Sequence, residues 1–320
     1  MIATKRFLGL LTLVTLLGAC GWIKSEESHF FDSTGKPLPA LSAVLDATGI
    51  HHDGTRGDVI AKTQQAWLRP AGVERFNMTD PWAEKHDQIK PLCKQLGLID
   101  PVMPAAKIYD YALVHGALVL AMRARIAFLV KLWQAGIRFK RVVILTGKRD
   151  LDPRAEPAAA FEDRKQQILP IRSDWQRGEK PLPQFESDAA AMIYDQAALP
   201  ADMRALPVDI IDAPKITTAS GDLARPNTQS TVATWLATNP SPGLCLAITN
   251  QPFVGYQDAI LKTVLPKGFT VETVGFGVPT REELAAVGGG PAAATLDAAS
   301  AWLDSLARWM YQENLRQAQK

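Results

Sequence analysis

The chain has 320 residues, with 35 Lys and Arg against 33 Asp and Glu, a formal net charge of +2, and 47% hydrophobic residues. That is enough apolar material for one large domain or two small ones around a sizeable core. The near-neutral balance, with no long run of like charge, excludes a nucleic-acid reader that works through a net basic face.

The first element is a leader. Lys5 and Arg6 precede a mostly apolar run from Phe7 to Leu17. A short basic region, a short apolar stretch and small residues at a cut describe a secretory signal peptide over residues 1–19. The apolar run falls short of the ~20 residues that span a bilayer. Leu17-Gly18-Ala19-Cys20 resembles a bacterial lipobox. The expectation is export, diacylation of the Cys20 sulfur, and a membrane attachment made through lipid alone. The protein would then face the periplasm of a bacterial envelope, with Gly21 rather than an acidic residue favouring the outer membrane. The leader takes two basic and no acidic residues with it, so the mature chain is formally neutral. Cys93 and Cys245 remain. They could pair in an oxidising compartment, but Cys245 lies in an apolar run and reads better as a small buried hydrophobe.

Residues 20–40, with Ser, Gly and Pro, read as a polar tether, and 41–104 as a helical region with helices near 57–67 and 82–96. From 105 to 320 the pattern becomes α/β. Tyr111 to Gly116 reads as a strand closing on glycine. A helix follows, with Ile126, Leu129, Val130 and Trp133 on one face and Gly136 at its end. Arg141 to Gly147 is a second strand. Residues 148–184 form a charged, proline-rich insertion. Then come a helix near 186–198, a strand at 208–212, a helix at 228–238 capped by Asn227, a strand at 244–249, a helix at 254–264 and a strand at 269–274. Gly288 to Pro291 is a break. The terminal helix aligns Leu296, Ala299, Trp302, Leu303, Leu306 and Trp309. Alternating strands and helices predict a Rossmann-like, mostly parallel sheet with helices on both faces. Ligands bind beyond the carboxyl ends of such strands, which selects the loops at 115–123, 146–156, 212–228 and 249–257.

There is no dinucleotide fingerprint, P-loop, zincin motif or nucleophile elbow. The five histidines have no ligand spacing, and His51-His52-Asp53 reads as an exposed loop rather than a metal site. The sequence leaves any cofactor unknown and implies no metal. Arg123 and Arg125 are two positions apart on a helix, so at most one reaches a shared site; the plain alternative is that both are surface residues. Beside the helix start and Gly116, Arg125 suits an anion. Thr146, Gly147, Lys148 and Arg149 end the second strand. Gly147 allows close approach, and the two cations could hold an anion or pair with Asp150 and Asp152. Glu186 and Asp188 open a helix, where carboxylates suit the macrodipole; they are also the candidate general acid or base, provided burial raises a pKa. Asn227 and Thr228, and Asn250 and Gln251, are the candidate orienting groups.

These residues resemble the YdcF/SanA/ElyC-like envelope family over about residues 107–278. The matching features are Tyr111 to Gly116; Arg125-Ile126 with Leu129, Leu132-Trp133 and Gly136; Val142 to Gly147; Glu186 and Asp188 before Met192; and Asn227-Thr228. The resemblance implies a Rossmann-like sheet and a role in envelope or peptidoglycan maintenance, and supplies no reaction. The chain departs from the family at Lys148, where a second glycine is common. It departs again at Phe253 and Tyr256-Gln257, where His and Arg are common. The expectation is a lipid-anchored protein that binds a polar, anionic small molecule. The rivals are a lipoprotein whose helical region at 40–104 and terminal helix dock a protein partner, leaving Trp302 and Trp309 partly exposed, and a metal hydrolase built on the carboxylates at 150–156 and 186–188.

Overall fold

The computed structural model describes residues 29–219, 221–280, 282–283 and 295–318. Cys20, its leader and the Gly288 to Pro291 break lie outside the described residues. Five parallel strands form the central sheet: β1 (Ile108–His115), β2 (Arg138–Gly147), β3 (Val208–Ala213), β6 (Leu244–Asn250) and β7 (Thr270–Phe276), in the order β3-β2-β1-β6-β7. β4 (Ile216–Thr217) and β5 (Leu223–Ala224) make a small antiparallel pair that the sequence pattern did not show. The α/β, Rossmann-like reading is therefore correct.

Period-two alternation explains how the sheet is covered. Ala112, Val114, Val142, Ile144, Leu246 and Ile248 face α4 (Val119–Gln134) and α6 (Glu186–Gln196). Tyr111, Leu113, Val143, Leu145, Cys245 and Ala247 face α8 (Thr228–Leu236) and α9 (Val254–Val264). With both faces buried, the central strands become near-continuous apolar runs. The insertion after β2 carries only the short α5 (Ala159–Glu162), and α7 (Ala201–Arg204) leads into β3.

A separate apolar layer joins α1 (Pro39–Thr48), α2 (Arg56–Trp67) and α3 (His86–Gln95) to the terminal helix α10 (Ala299–Ala318). The predicted helices near 57–67 and 82–96 correspond to α2 and to a 3-10 turn running into α3. The tether reading does not hold for residues 30–40. Phe30 and Phe31 are buried in this layer, and α1 begins at Pro39, which is suited to a helix start. Trp302 is fully buried, and Trp309 packs edge-on against Phe30 with ring centroids 4.9 Å apart. Both rings are thus used within the chain. Cys93 and Cys245 are free, buried thiols in different cores, each pushed up to about 12 by burial. Among the described residues, no helix is long and apolar enough to cross a membrane.

Candidate functional site

The strand order reverses between β1 and β6, and at such a switch point the crossover helices leave on opposite faces and open a crevice. Here a cleft of about 1030 Å³ opens over it. Its walls come from the carboxyl ends of β1 and β2, the first turns of α4, α8 and α9, the segment around Arg75, and α10.

The crevice is pinned by Arg125. Its Nε and Nη2 donate to Asn250 Oδ1 at 2.9 and 2.8 Å, and its Nη1 donates to the carbonyls of His115 and Gly116 at 2.9 and 2.6 Å. Burial lowers its pKa to about 10, so the guanidinium stays charged at neutral pH. Arg125 lines the cleft as expected, but four of its five donors are taken by the strand tips, so it braces the crevice more than it offers bonds to a ligand. Arg123 reaches the carbonyls of Ala160 and Phe161 and anchors the insertion. Both arginines are buried, which overturns the surface alternative. Asn250 and Gln251 are likewise structural. Asn250 Nδ2 donates to the Gln251 carbonyl, and Gln251 Nε2 donates to the carbonyls of Gly97 and Asp100, tying the sheet to the helical region.

Glu186 lies on the cleft surface, against Gly116. A Cβ at Gly116 would sit 2.9 Å from the Glu186 carboxyl, so only glycine allows this approach. Behind Glu186, Arg149 Nη1 and Nη2 donate to Glu156 at 2.7 and 2.9 Å, while its Nε lies 3.5 Å from Glu186 Oε1. One cation thus serves two carboxylates, and Glu156 takes the better geometry. Burial raises the Glu186 pKa, with Glu156 adding to the rise and Arg149 and Arg225 opposing it. Burial works against the charge of Arg149 too, but its bonds to Glu156 and the charges of Glu186 and Glu156 together outweigh that and raise its pKa. Of the two carboxylates expected to carry acid–base chemistry, Glu186 alone is placed for it.

Asp188 is exposed, and its carboxylate accepts from the amides of Gln184 and Phe185 as a helix cap. Thr146 is buried and donates to the Ile211 carbonyl. Lys148 pairs with Asp212 at 2.8 Å, off the cleft. A Cβ on Gly147 would meet the Ala213 carbonyl and, at 2.7 Å, Pro226 Cγ. Gly147 therefore serves strand packing, and Gly147→Ala is expected to cost about 1–3 kcal/mol as an overpacking change, read as a lowered urea midpoint. Of the carboxylates at 150–156, Glu156 meets Glu186 through their shared Arg149, whereas Asp150 pairs with Lys215 and Asp152 with Arg154, so no carboxylate cluster for a metal forms. No group of three or more metal-ligating side chains is found among the described residues.

Asn227 and Thr228 do line the cleft. Asn227 Oδ1 accepts from the Ser230 amide, and Ser230 Oγ accepts from the Asn227 amide, a reciprocal cap. Thr228 and Gln229, in the first turn of α8, line the cleft, and their amides have no acceptor within the helix.

Sequence reasoning missed the opposite wall. Arg69, Arg75, Arg225 and Arg308 line it. Arg69 and Arg225 share Glu74 Oε2 at 3.9 and 3.2 Å. Arg75 and Arg308 share buried Asp304, whose oxygens also accept the Arg69 amide. Arg69 is pushed down to about 10 by burial, then by the charges of Arg75 and Arg225. Burial is the larger cause, and the neighbouring like charges add to it. Arg225 lay in a selected loop but had no distinguishing spacing. Arg75 and Arg308 belong to elements outside the sheet, and no sequence signal placed them there.

The fold and this cleft define a Rossmann-like α/β protein with an arginine-rich pocket at its switch point. Comparisons with family models, with curated proteins and with solved structures gave no significant match.

Proposed function

We propose that this chain is an envelope lipoprotein that binds a polar, anionic small molecule in the switch-point cleft. The observation that carries the reading is the surplus of positive charge there. Among the described residues, seven cationic side chains and three carboxylates line the cleft, and Glu156 and Asp304 packed behind it do not close the gap. Positive charges crowded in a partly desolvated cleft repel one another, and an anion relieves that repulsion. Phosphate and carboxylate ligands both suit guanidinium forks. Glu186, held toward its protonated form, is the group that would give or take a proton if the ligand is transformed. The role in envelope or peptidoglycan maintenance follows the family resemblance. The lipobox at Leu17 to Cys20 supports a lipid anchor, and Gly21 supports the outer membrane. The use of Trp302 and Trp309 inside the chain weighs against the partner-docking alternative.

Native mass spectrometry of protein purified from its own envelope should show a bound anionic species. In titrations with inorganic phosphate, Arg75→Gln and Arg225→Gln should each weaken binding by about tenfold, equivalent to ~1.4 kcal/mol. Undiminished phosphate affinity in both variants would remove the support for this reading.

A further inference from the structure

We infer that the ligand of the cleft is a phosphorylated sugar, its phosphate on Arg225 and the first turn of α8 and its hydroxyls over His115 and Gln257. This rests on the anion reading above and adds the substrate class.

Three apolar stripes meet under the cleft, and each ends in a polar residue. On β1, Tyr111 and Leu113 are followed by His115; on α8, Trp235 leads back to Thr231 and Thr228; on α9, Leu261 leads back to Gln257. The apolar members belong to one core layer, and each polar member lines the cleft. His115 is 2% exposed and Gln257 is 5% exposed. His115 Nε2 and Gln257 Oε1 are buried without a hydrogen-bond partner. An unpaired buried polar atom forfeits its hydration without replacement; other buried side-chain atoms among the described residues share that state, and His115 and Gln257 are the uncharged ones that line the cleft. Leucine would pack at either position without that penalty, so the pair marks a place where a ligand completes the bonding. Burial and the neighbouring Arg125 lower His115 to about 3, which makes it a neutral imidazole at physiological pH. A neutral ring nitrogen and an amide oxygen match an uncharged group that donates and accepts, such as a sugar hydroxyl.

The anion end is separate. With Ser230 and Thr231 served by Asn227, the amides of Thr228 and Gln229 have no intrahelical acceptor. Arg225 precedes this turn and lines the same cleft. A helix start beside a guanidinium suits phosphate. Inorganic phosphate would engage only this end, and a plain sugar only the other. A phosphorylated sugar engages both, and a cavity of about 1030 Å³ accommodates it.

Isothermal titration of the full chain with inorganic phosphate, glucose, glucose 1-phosphate and glucose 6-phosphate tests the assignment. At least one sugar phosphate should bind tenfold or more tighter than phosphate. Gln257→Leu and His115→Phe should each erase most of that advantage and leave phosphate affinity as it was. Should His115→Phe not fold, Gln257→Leu decides alone. Equal affinity for phosphate and both sugar phosphates would overturn the proposal and leave the anion reading standing. So would equal losses for phosphate and sugar phosphate in the variants, or glucose binding as tightly as its phosphates. Failure of every phosphorylated probe, phosphate included, would bring down the anion reading itself.

Discussion

Arg125→Ala is expected to destabilise the protein by about 3–5 kcal/mol, the range for breaking a buried, charge-assisted network. The guanidinium holds two carbonyls of the β1 tip and the side chain of the last β6 residue at once. Removing it leaves three acceptors at the strand tips without their donor, at about 1–3 kcal/mol each where nothing replaces the bonds. The crevice between β1 and β6 would also lose its only charged brace among the described residues. For a protein of this size the melting temperature should fall by roughly 10 °C. Arg125→Lys should recover little of this, because a point ammonium does not reproduce a planar fork with donors on two sides. Thermal unfolding by circular dichroism checks both variants. A melting temperature for Arg125→Ala within about 2 °C of wild type would mean that the strand tips do not depend on this bond set.

The switch-point geometry accounts for what the sequence disclosed and what it hid. Strands were legible because both faces of the sheet are covered, so Val142 to Leu145 and Cys245 to Ile248 stand out as continuous apolar runs. The loops that follow them were therefore placed correctly, and Gly116, Arg149, Glu186, Asn227 and Thr228 do line one cleft. Which side chains in those loops stay free was not legible. Arg125, Asn250, Thr146 and Lys148 have the chemistry of a binding site, yet each is satisfied by an acceptor or an opposite charge brought near only by tertiary folding. The Ile211 carbonyl that occupies Thr146 is far away in sequence. The reverse holds for Arg75 and Arg308. Nothing in their local patterns differs from a solvated helix face, and they reach the cleft because α10 packs on α2, α3 and α9. Exposed-looking arginines become site residues when a buried carboxylate aligns them, and that carboxylate is Asp304.

Asp304 is therefore the second position where one side chain should carry a large effect. It is fully buried on α10. It accepts from the Arg69 amide at 3.0 Å, from Arg75 at 3.3 Å, and from Arg308 at 3.0 and 2.9 Å. Burial alone would raise its pKa, but Arg308 and Arg75 outweigh burial and hold it at about 2, against an ordinary value of 3.8. A depressed carboxylate contributes stability that is complete above its unfolded pKa and lost as pH falls through the folded one. The contribution of Asp304, about 2–3 kcal/mol for a shift of this size, should thus be intact at pH 6 and decline between about pH 4 and 2. Asp304→Ala should cost about 3–5 kcal/mol at neutral pH, because Arg75 and Arg308 are left facing each other without their shared anion. Urea unfolding followed by tryptophan fluorescence should give a wild-type stability that falls more steeply than that of Asp304→Asn over pH 4 to 2. The two profiles running parallel across that window would show that Asp304 is not the acid-sensitive tie between α10 and the arginine wall.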